Sequence, residues 1–242
     1  MDDLFDLYEC GECAENRTNN PTIPLIGAKA PKFSASTTNG PIDFPGDFQG
    51  KWIVFFSHPS DFTPVCTSEF IAFQRELDEF EKLNVQLIGL SVGALSSHLA
   101  WIEAIATMKN GAAITFPLID DLSGKIAEIY GMIHPDMSST HAVRAVFIID
   151  PQETIRAILY YPAVLGRNID EIKRMIVGLQ TGDTFGVATG ANWMPGNDVL
   201  QPAPTTVKQM RAHKQTPWFM TYKKLNKDVI FSKIGKQKSE KK

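Results

Sequence analysis

Near-continuous apolar runs of strand length constrain this chain most: "WIVFF" (Trp52–Phe56), "VQLIGLS" (Val85–Ser91) and "RAVFIID" (Arg144–Asp150). Such runs suit strands buried on both faces, which need helices packed above and below them. Helical spacing appears between them. Phe70, Phe73, Leu77 and Phe80 share one face of a segment that starts near Thr63, and Leu99, Ile102 and Ile105 share one face of the next. "AITFPLID" (Ala113–Asp120) reads as a strand in which Pro117 marks an edge or a strand end. "SGKIAEIYG" reads as a short helix stopped by Gly131. "RAVFIID" and "TIRAILYY" are separated only by Pro151–Glu153, the spacing of a hairpin whose second strand lies near the sheet edge. Ile169, Ile172, Ile176 and Leu179 mark a last long helix, which Asn168 and Glu171 open in the manner of a capping box. The order is α/β: a mixed central sheet flanked by helices, with an antiparallel pair late in the sheet.

The texture changes at about Ala188, where "ATGANWMPGNDVLQPAPTT" is rich in Pro, Gly and Asn. The expected organisation is an N-terminal extension (1–23), a main α/β domain (24–187) and a small C-terminal domain (188–242) whose basic end (233–242) is a solvated tail. With 242 residues, 43% of them apolar and 21% charged, the chain has the make-up of a globular protein. A net charge of −3 gives no case for nucleic acid or an anionic membrane as partner. No apolar run approaches the roughly 20 residues that span a bilayer. The start, "MDDLFDLYEC", lacks a signal-peptide pattern, so a cytoplasmic location is expected. Three cysteines in a reducing compartment argue against a disulfide scaffold.

One cysteine stands out. After the Trp52–Phe56 strand, Pro59, Ser60 and Asp61 break the apolar pattern, and Thr63 and Pro64 read as an N-cap followed by proline at the first helical position. Cys66 then falls in the first helical turn, beyond the carboxyl end of a strand, where open α/β sheets gather reactive groups. A helix N-terminus favours the thiolate, but the dipole alone contributes only about 0.3–1 kcal/mol. A second positive group is needed, and Arg144, which opens "RAVFIID", is the candidate. On placement alone Cys66 is equally well a buried small hydrophobe. Thr63 reads also as a plain N-cap, Pro59 as a strand terminator and Arg144 as a strand-end surface residue. His58 reads as an acid–base group or as a shaper of the loop.

The motif Pro59-x-x-x-Thr63-x-x-Cys66 resembles the active-site signature of the peroxiredoxins, and "FSHPSDFTPVCTSEF", "FPLIDD", "RAVFIIDP" and "LYYPAVLGRNIDEI" resemble that family in the same order. "ANWMPGNDV" resembles the long, one-cysteine-type group with a C-terminal extension domain. The resemblance covers about residues 24–230. It implies a thioredoxin-like fold and a thiol-specific peroxidase that reduces hydrogen peroxide and organic hydroperoxides through a cysteine sulfenic acid. Cys66 would attack the peroxide. Thr63 would hydrogen-bond thiolate and peroxide, Pro59 would shield the sulfur, and Arg144 would favour the thiolate and polarise the peroxide. No cofactor or metal is implied, only an external thiol reductant such as thioredoxin or another dithiol donor. The resemblance also implies a homodimer through sheet edges, with a decamer ring of five dimers as the larger form, and the C-terminal segment packing across the partner.

The chain departs from the family's two-cysteine pattern because no cysteine follows Cys66. Cys10 and Cys13 in "YECGECAEN" stay open to three readings: a resolving dithiol arm, half of a metal site, or a redox-inert tail. The acidic Gly11-Glu12 spacer disfavours their thiolates, and the long group favours an external thiol. "FPGDFQGKW" lacks the serine and histidine of the lipase activity credited to some long members, so that activity is not expected. A redox-regulated holdase or peroxide sensor is the rival function. A thiol–disulfide oxidoreductase would want a cysteine where Thr63 stands.

Overall fold

The structure, a computed structural model, describes residues 23–212 and 217–235. It begins with a β-hairpin, β1 (Phe33–Thr37) and β2 (Gly40–Phe44), followed by β3 (Trp52–Ser57). Two helices, α1 (Pro64–Arg75) and α2 (Leu77–Lys82), lead to β4 (Val85–Ser91), and α3 (Leu95–Thr107) leads to β5 (Leu118–Asp120). Next come α4 (Lys125–Ile129), β6 (Arg144–Ile149), β7 (Ile155–Tyr161) and the long α5 (Ile169–Phe185). The last part holds β8 (Val199–Leu200), α6 (Val207–Ala212), β9 (Tyr222–Lys223) and α7 (Lys227–Lys233).

The seven-stranded sheet has the order β2-β1-β5-β4-β3-β6-β7, with β3, β4 and β5 parallel and β6 and β7 antiparallel additions beside β3. β3 is central and fully buried. Its alternation divides the core in two: Trp52, Val54 and Phe56 pack with Phe70, Phe73, Trp101 and Ile176 on one face. Ile53 and Phe55 pack with Phe44, Tyr130 and Phe147 on the other. A run apolar at every residue is what two covered faces require.

The expected hairpin forms, and β7 lies at the sheet edge. Three local expectations change. The helix carrying Cys66 breaks at Glu76 into α1 and α2. β5 is only three residues long and starts just after Pro117, whose carbonyl accepts from the Gly89 N–H at 2.9 Å. In α3 the buried face is His98, Trp101 and Ile105, while Leu99 is 42% exposed, because polar bonds of His98 inside the protein rotate the helix one position from its apolar face.

Residues beyond 188 share the core of the main body: Trp193, Val199, Leu225, Ile230 and Ile234 join the cluster around Phe56 and Phe73. Gly235 closes this segment against the end of α2. Its φ of 71° is left-handed, and a Cβ there would lie 2.3 Å from the Lys82 carbonyl oxygen, so only glycine fits. Among the described residues no helix is long and apolar enough to cross a membrane.

Phe55 has no exposed surface and touches Phe33, Phe44, Tyr130 and Phe147. Phe55→Ala should therefore cost about 3–5 kcal/mol of stability, read as a lower denaturant midpoint at unchanged m-value. A loss below about 1 kcal/mol would mean that the aromatic cluster closes over the cavity.

Candidate active site

β3 ends at Ser57, and its ladder continues one residue further through the His58 N–H, which donates to the Leu90 carbonyl at 3.0 Å. The chain then turns through Pro59–Phe62 into α1. Thr63 occupies the N-cap position with an extended backbone, and Pro64 is the first helical residue. The Thr63 side chain makes no cap bond. Its hydroxyl donates to the Ser60 carbonyl at 2.9 Å instead of to the sulfur of Cys66. The expected cap and the expected Thr63–thiolate bond are both replaced by this one contact, which ties the loop to itself.

Cys66 lies in the first turn of α1 with no exposed surface. Arg144, at the start of β6, places Nη1 3.1 Å from its Sγ. The same Nη1 donates to Glu69 Oε2 at 2.8 Å, while Nε and Nη2 donate to the Ala163 carbonyl at 3.2 and 2.8 Å. Arg144 is 2% exposed, so the strand-end surface reading fails. Pro59 is half-buried in the turn between β3 and α1.

Two residues outside the expected set complete the charge pattern. Glu69, one helical turn after Cys66, accepts from the Arg167 backbone N–H at 2.8 Å and from its Nε and Nη2 at 2.9 and 2.6 Å. Arg167 Nη1 reaches back to the carbonyls of Ser57 and Ala145 at 2.9 and 3.1 Å, and its guanidinium lies over Phe56. Two buried guanidinium groups thus face one carboxylate. The sulfur of Cys66 lies against the first of these cations. The sequence does carry a signal for Glu69, because a position three residues after Cys66 on one helix shares its face.

His58 is buried, and its Nε2 meets Asp61 Oδ1 at 2.9 Å. Asp61 Oδ2 accepts from His98 Nδ1 and from Ser97 Oγ, both at 2.7 Å. Asp61 thus joins both rings, and His58 Nδ1 and His98 Nε2 are buried without a hydrogen-bond partner among the described residues. Cys10 and Cys13 lie outside the described residues. Among the described residues no cluster of three or more His, Cys, Asp or Glu side chains is placed to hold a metal ion.

Comparison with known proteins follows the same outline. The sequence profile of the AhpC/TSA family matches residues 26–158, and that of the C-terminal domain of 1-Cys peroxiredoxin matches residues 178–213. A peroxiredoxin of Methanosarcina mazei is 49% identical over 216 residues, covering 84% of this chain and 98% of the relative. Peroxiredoxin 2 of Caldanaerobacter subterraneus subsp. tengcongensis is 51% identical over 210 residues, covering 84% and 94%. Among solved structures, a yeast mitochondrial 1-Cys peroxiredoxin, studied for thiol resolution via glutathione/thioredoxin systems, matches with TM-score 0.74 and 39% identity over 84% of this chain and 100% of that one. Peroxiredoxin 6 of Arenicola marina matches with TM-score 0.75 and 32% identity over 83% and 97%.

The histidine–aspartate network makes stability depend on pH in one direction. Burial pushes His58 below its ordinary value against the pull of Asp61, and the charges of His98 and Arg167 add to that push. The unfolded chain then takes up a proton near pH 6.5 that the folded chain accepts only at lower pH, so stability falls as pH drops through that value. Burial alone would raise the Asp61 carboxyl, but the bonds from His58, His98 and Ser97 outweigh it and hold the group well below the carboxylate range. Its contribution is present above about pH 4 and is lost on further acidification. Denaturant midpoints should be level above pH 7, fall below about pH 6.5 and fall more steeply below about pH 4. His58→Gln should remove the upper part of that decline. A midpoint unchanged from pH 7 to pH 5 would contradict the assignment.

Proposed function

This chain belongs to the peroxiredoxins of the AhpC/TSA family and is a thiol-dependent peroxidase, and we propose that Cys66 is its peroxidatic nucleophile, acting on hydrogen peroxide and small organic hydroperoxides. One observation carries the reading: the 3.1 Å approach of Arg144 to the Cys66 sulfur inside a buried cluster of two cations and one carboxylate. That excess positive charge supports reaction as the thiolate.

The Cys66 thiolate attacks the terminal peroxide oxygen. The S–O bond forms as the O–O bond breaks, the sulfur is oxidised to a sulfenic acid, and the leaving alkoxide or hydroxide takes a proton to become alcohol or water. Arg144 stabilises the charge that develops along the breaking bond, in a site where a fixed donor needs no reorganisation. Thr63 has committed its proton to Ser60, so its hydroxyl serves the peroxide as an acceptor. Pro59 shields the sulfur from bulk water. A thiol reductant such as thioredoxin or another dithiol donor returns the sulfenic acid to the thiol. The main body (24–187) carries this chemistry, and the segment from 188 onward buttresses its core. A homodimer along the later part of β7, where Tyr160 is 40% exposed, fits the edge of the sheet beyond Ile155, whose own N–H and carbonyl pair with Ala28 and Gly27. A reducing cytoplasm fits a chain with only three cysteines.

Stopped-flow peroxide consumption tests the assignment. Cys66→Ser should abolish turnover. Arg144→Ala should slow the first oxidation by about 10²–10³-fold, the cost of removing one preorganised donor. Arg144→Lys should restore little of it, since lysine cannot hold the sulfur, Glu69 and Ala163 at once. Peroxide consumption at the parent rate by Cys66→Ser would overturn the reading.

A further inference from the structure

The ladder between β3 and β6 runs in register from Ile53↔Ile149 to Phe56↔Val146. One more pair would join Ser57 to Ala145, next to Arg144. At that point a guanidinium is inserted instead. Arg167 Nη1 donates to the Ser57 carbonyl at 2.9 Å and to the Ala145 carbonyl at 3.1 Å, so both carbonyls face a cation. The Ala145 N–H takes a different acceptor, the side chain of Ser57.

That side chain has no exposed surface, so water does not compete for it. Its Oγ accepts from the Ala145 N–H at 3.1 Å and donates to the Val143 carbonyl at 2.6 Å. These two backbone groups also meet each other. The Ala145 N–H donates to the Val143 carbonyl at 3.1 Å, which closes a three-residue turn with Arg144 at its centre. One buried hydroxyl therefore bonds the peptide groups on both sides of Arg144. Val146 packs on the same face of the sheet as Phe56 and Cys66, whereas Ala145 and Phe147 pack on the other. Arg144, two residues before Val146, is directed by that alternation toward Cys66. Its guanidinium is fixed at the far end by Glu69 and by the Ala163 carbonyl. Its root is fixed by the turn, and a small rotation there is magnified along the side chain before it reaches the sulfur.

We propose that Ser57 is a positioning residue of the peroxidase reaction, whose hydroxyl holds the Val143–Ala145 turn and thereby keeps the Arg144 guanidinium against the Cys66 sulfur. The proposal rests on Cys66 being the peroxidatic nucleophile. Ser57 has committed its hydroxyl to Val143 and Ala145, so it acts on the reaction through Arg144. It also resolves a conflict within the fold. Arg167 occupies the two carbonyls that would extend the ladder, and the hydroxyl supplies the acceptor that the Ala145 N–H needs in a site closed to water.

The experiment follows single-turnover oxidation of Cys66 in the full chain by hydrogen peroxide in stopped flow, with denaturant midpoints measured beside it. Ser57→Ala should slow the oxidation about 10–10²-fold, the scale of a small misplacement of a reacting group's partner. Ser57→Thr keeps the hydroxyl and should recover most of the parent rate. Ser57→Val has the shape of threonine without the hydroxyl and should behave like Ser57→Ala. In an Arg144→Ala background Ser57→Ala should cause no further loss of rate, because nothing is left for it to position. A serine with a merely structural role would lower the denaturant midpoint in every background and leave the rate unmoved. A parent-like rate in Ser57→Ala, equal rates in Ser57→Thr and Ser57→Val, or a full additional loss in the Arg144→Ala background would each overturn the proposal. Where one of these variants does not fold, the other comparison decides. Failure of Cys66 to oxidise in the parent would instead overturn the peroxidatic assignment.

Discussion

The carboxylate of Glu69 holds the site together. Its two oxygens accept four hydrogen bonds from Arg144 and Arg167, and all three side chains are at most 3% exposed. Through them α1, β6 and the approach to α5 are joined, and Arg167 adds the end of β3 by way of the Ser57 carbonyl. Burying these charges is costly, and an apolar replacement of the whole cluster would stabilise such a core as well or better. Removing one member alone is another matter, because it leaves an uncompensated charge in the interior and costs about 3–5 kcal/mol. A cluster that is poor value as a stabiliser but rigid as a set has its use in position. It fixes Arg144 Nη1 against the Cys66 sulfur, in a cluster of two cations and one carboxylate.

A second polar network works from the opposite flank. Ser97 and His98 on α3 grip Asp61, which grips His58, so the turn between β3 and α1 is held from α3 as firmly as α1 is held from β6. The cost appears at the outer nitrogens of both rings, buried without a partner among the described residues, each worth about 1–3 kcal/mol of lost hydration. His58 also lies against Phe70 and Trp101, which keep water away from the ring. The site is therefore built from two charged anchors set in aromatic walls.

The parts of this arrangement legible in the sequence are those with a strong local pattern. The Trp52–Phe56 run can be placed as a buried strand because both of its faces are apolar, and Cys66 can be placed in a helical turn because a proline at the first helical position is a positional signal. The Pro151–Glu153 break marks the hairpin, and Asn168 caps α5 by accepting from the Glu171 N–H. The reciprocal half of that capping box is absent, since Glu171 pairs with Arg174 one turn on. What sequence pattern hides is long-range polar burial. Arg167, Asp61 and His98 look like surface residues, and Glu69 is marked only by sharing a helix face with Cys66, because a charged side chain is usually exposed and only partners distant in sequence make its burial tolerable. The same effect misplaced the buried face of α3. Apolar spacing put Leu99 inward, whereas the His98–Asp61 bond turned the helix so that Leu99 faces out.

These anchors leave one element free. Glu69 is tied three residues after Cys66, and Asp61 is tied five residues before it, while the turn between them is held by short-range bonds, from the Thr63 hydroxyl to Ser60 and from Thr67 to the Thr63 carbonyl. Thr63 gives no side-chain cap, Pro64 brings no N–H, and Phe62 sits in a left-handed conformation that costs about 1–3 kcal/mol. Cys66 itself has no exposed surface, so a second thiol cannot reach its sulfur while that turn is formed. The turn that covers the sulfur is also the one that sets it against Arg144. A helix start without a side-chain cap and with a residue in the left-handed region, set between two buried anchors, is where local opening costs least. The weak point lies in the residues between the anchors, and the Glu69–Arg144–Arg167 cluster beside it is held by bonds that do not involve those residues.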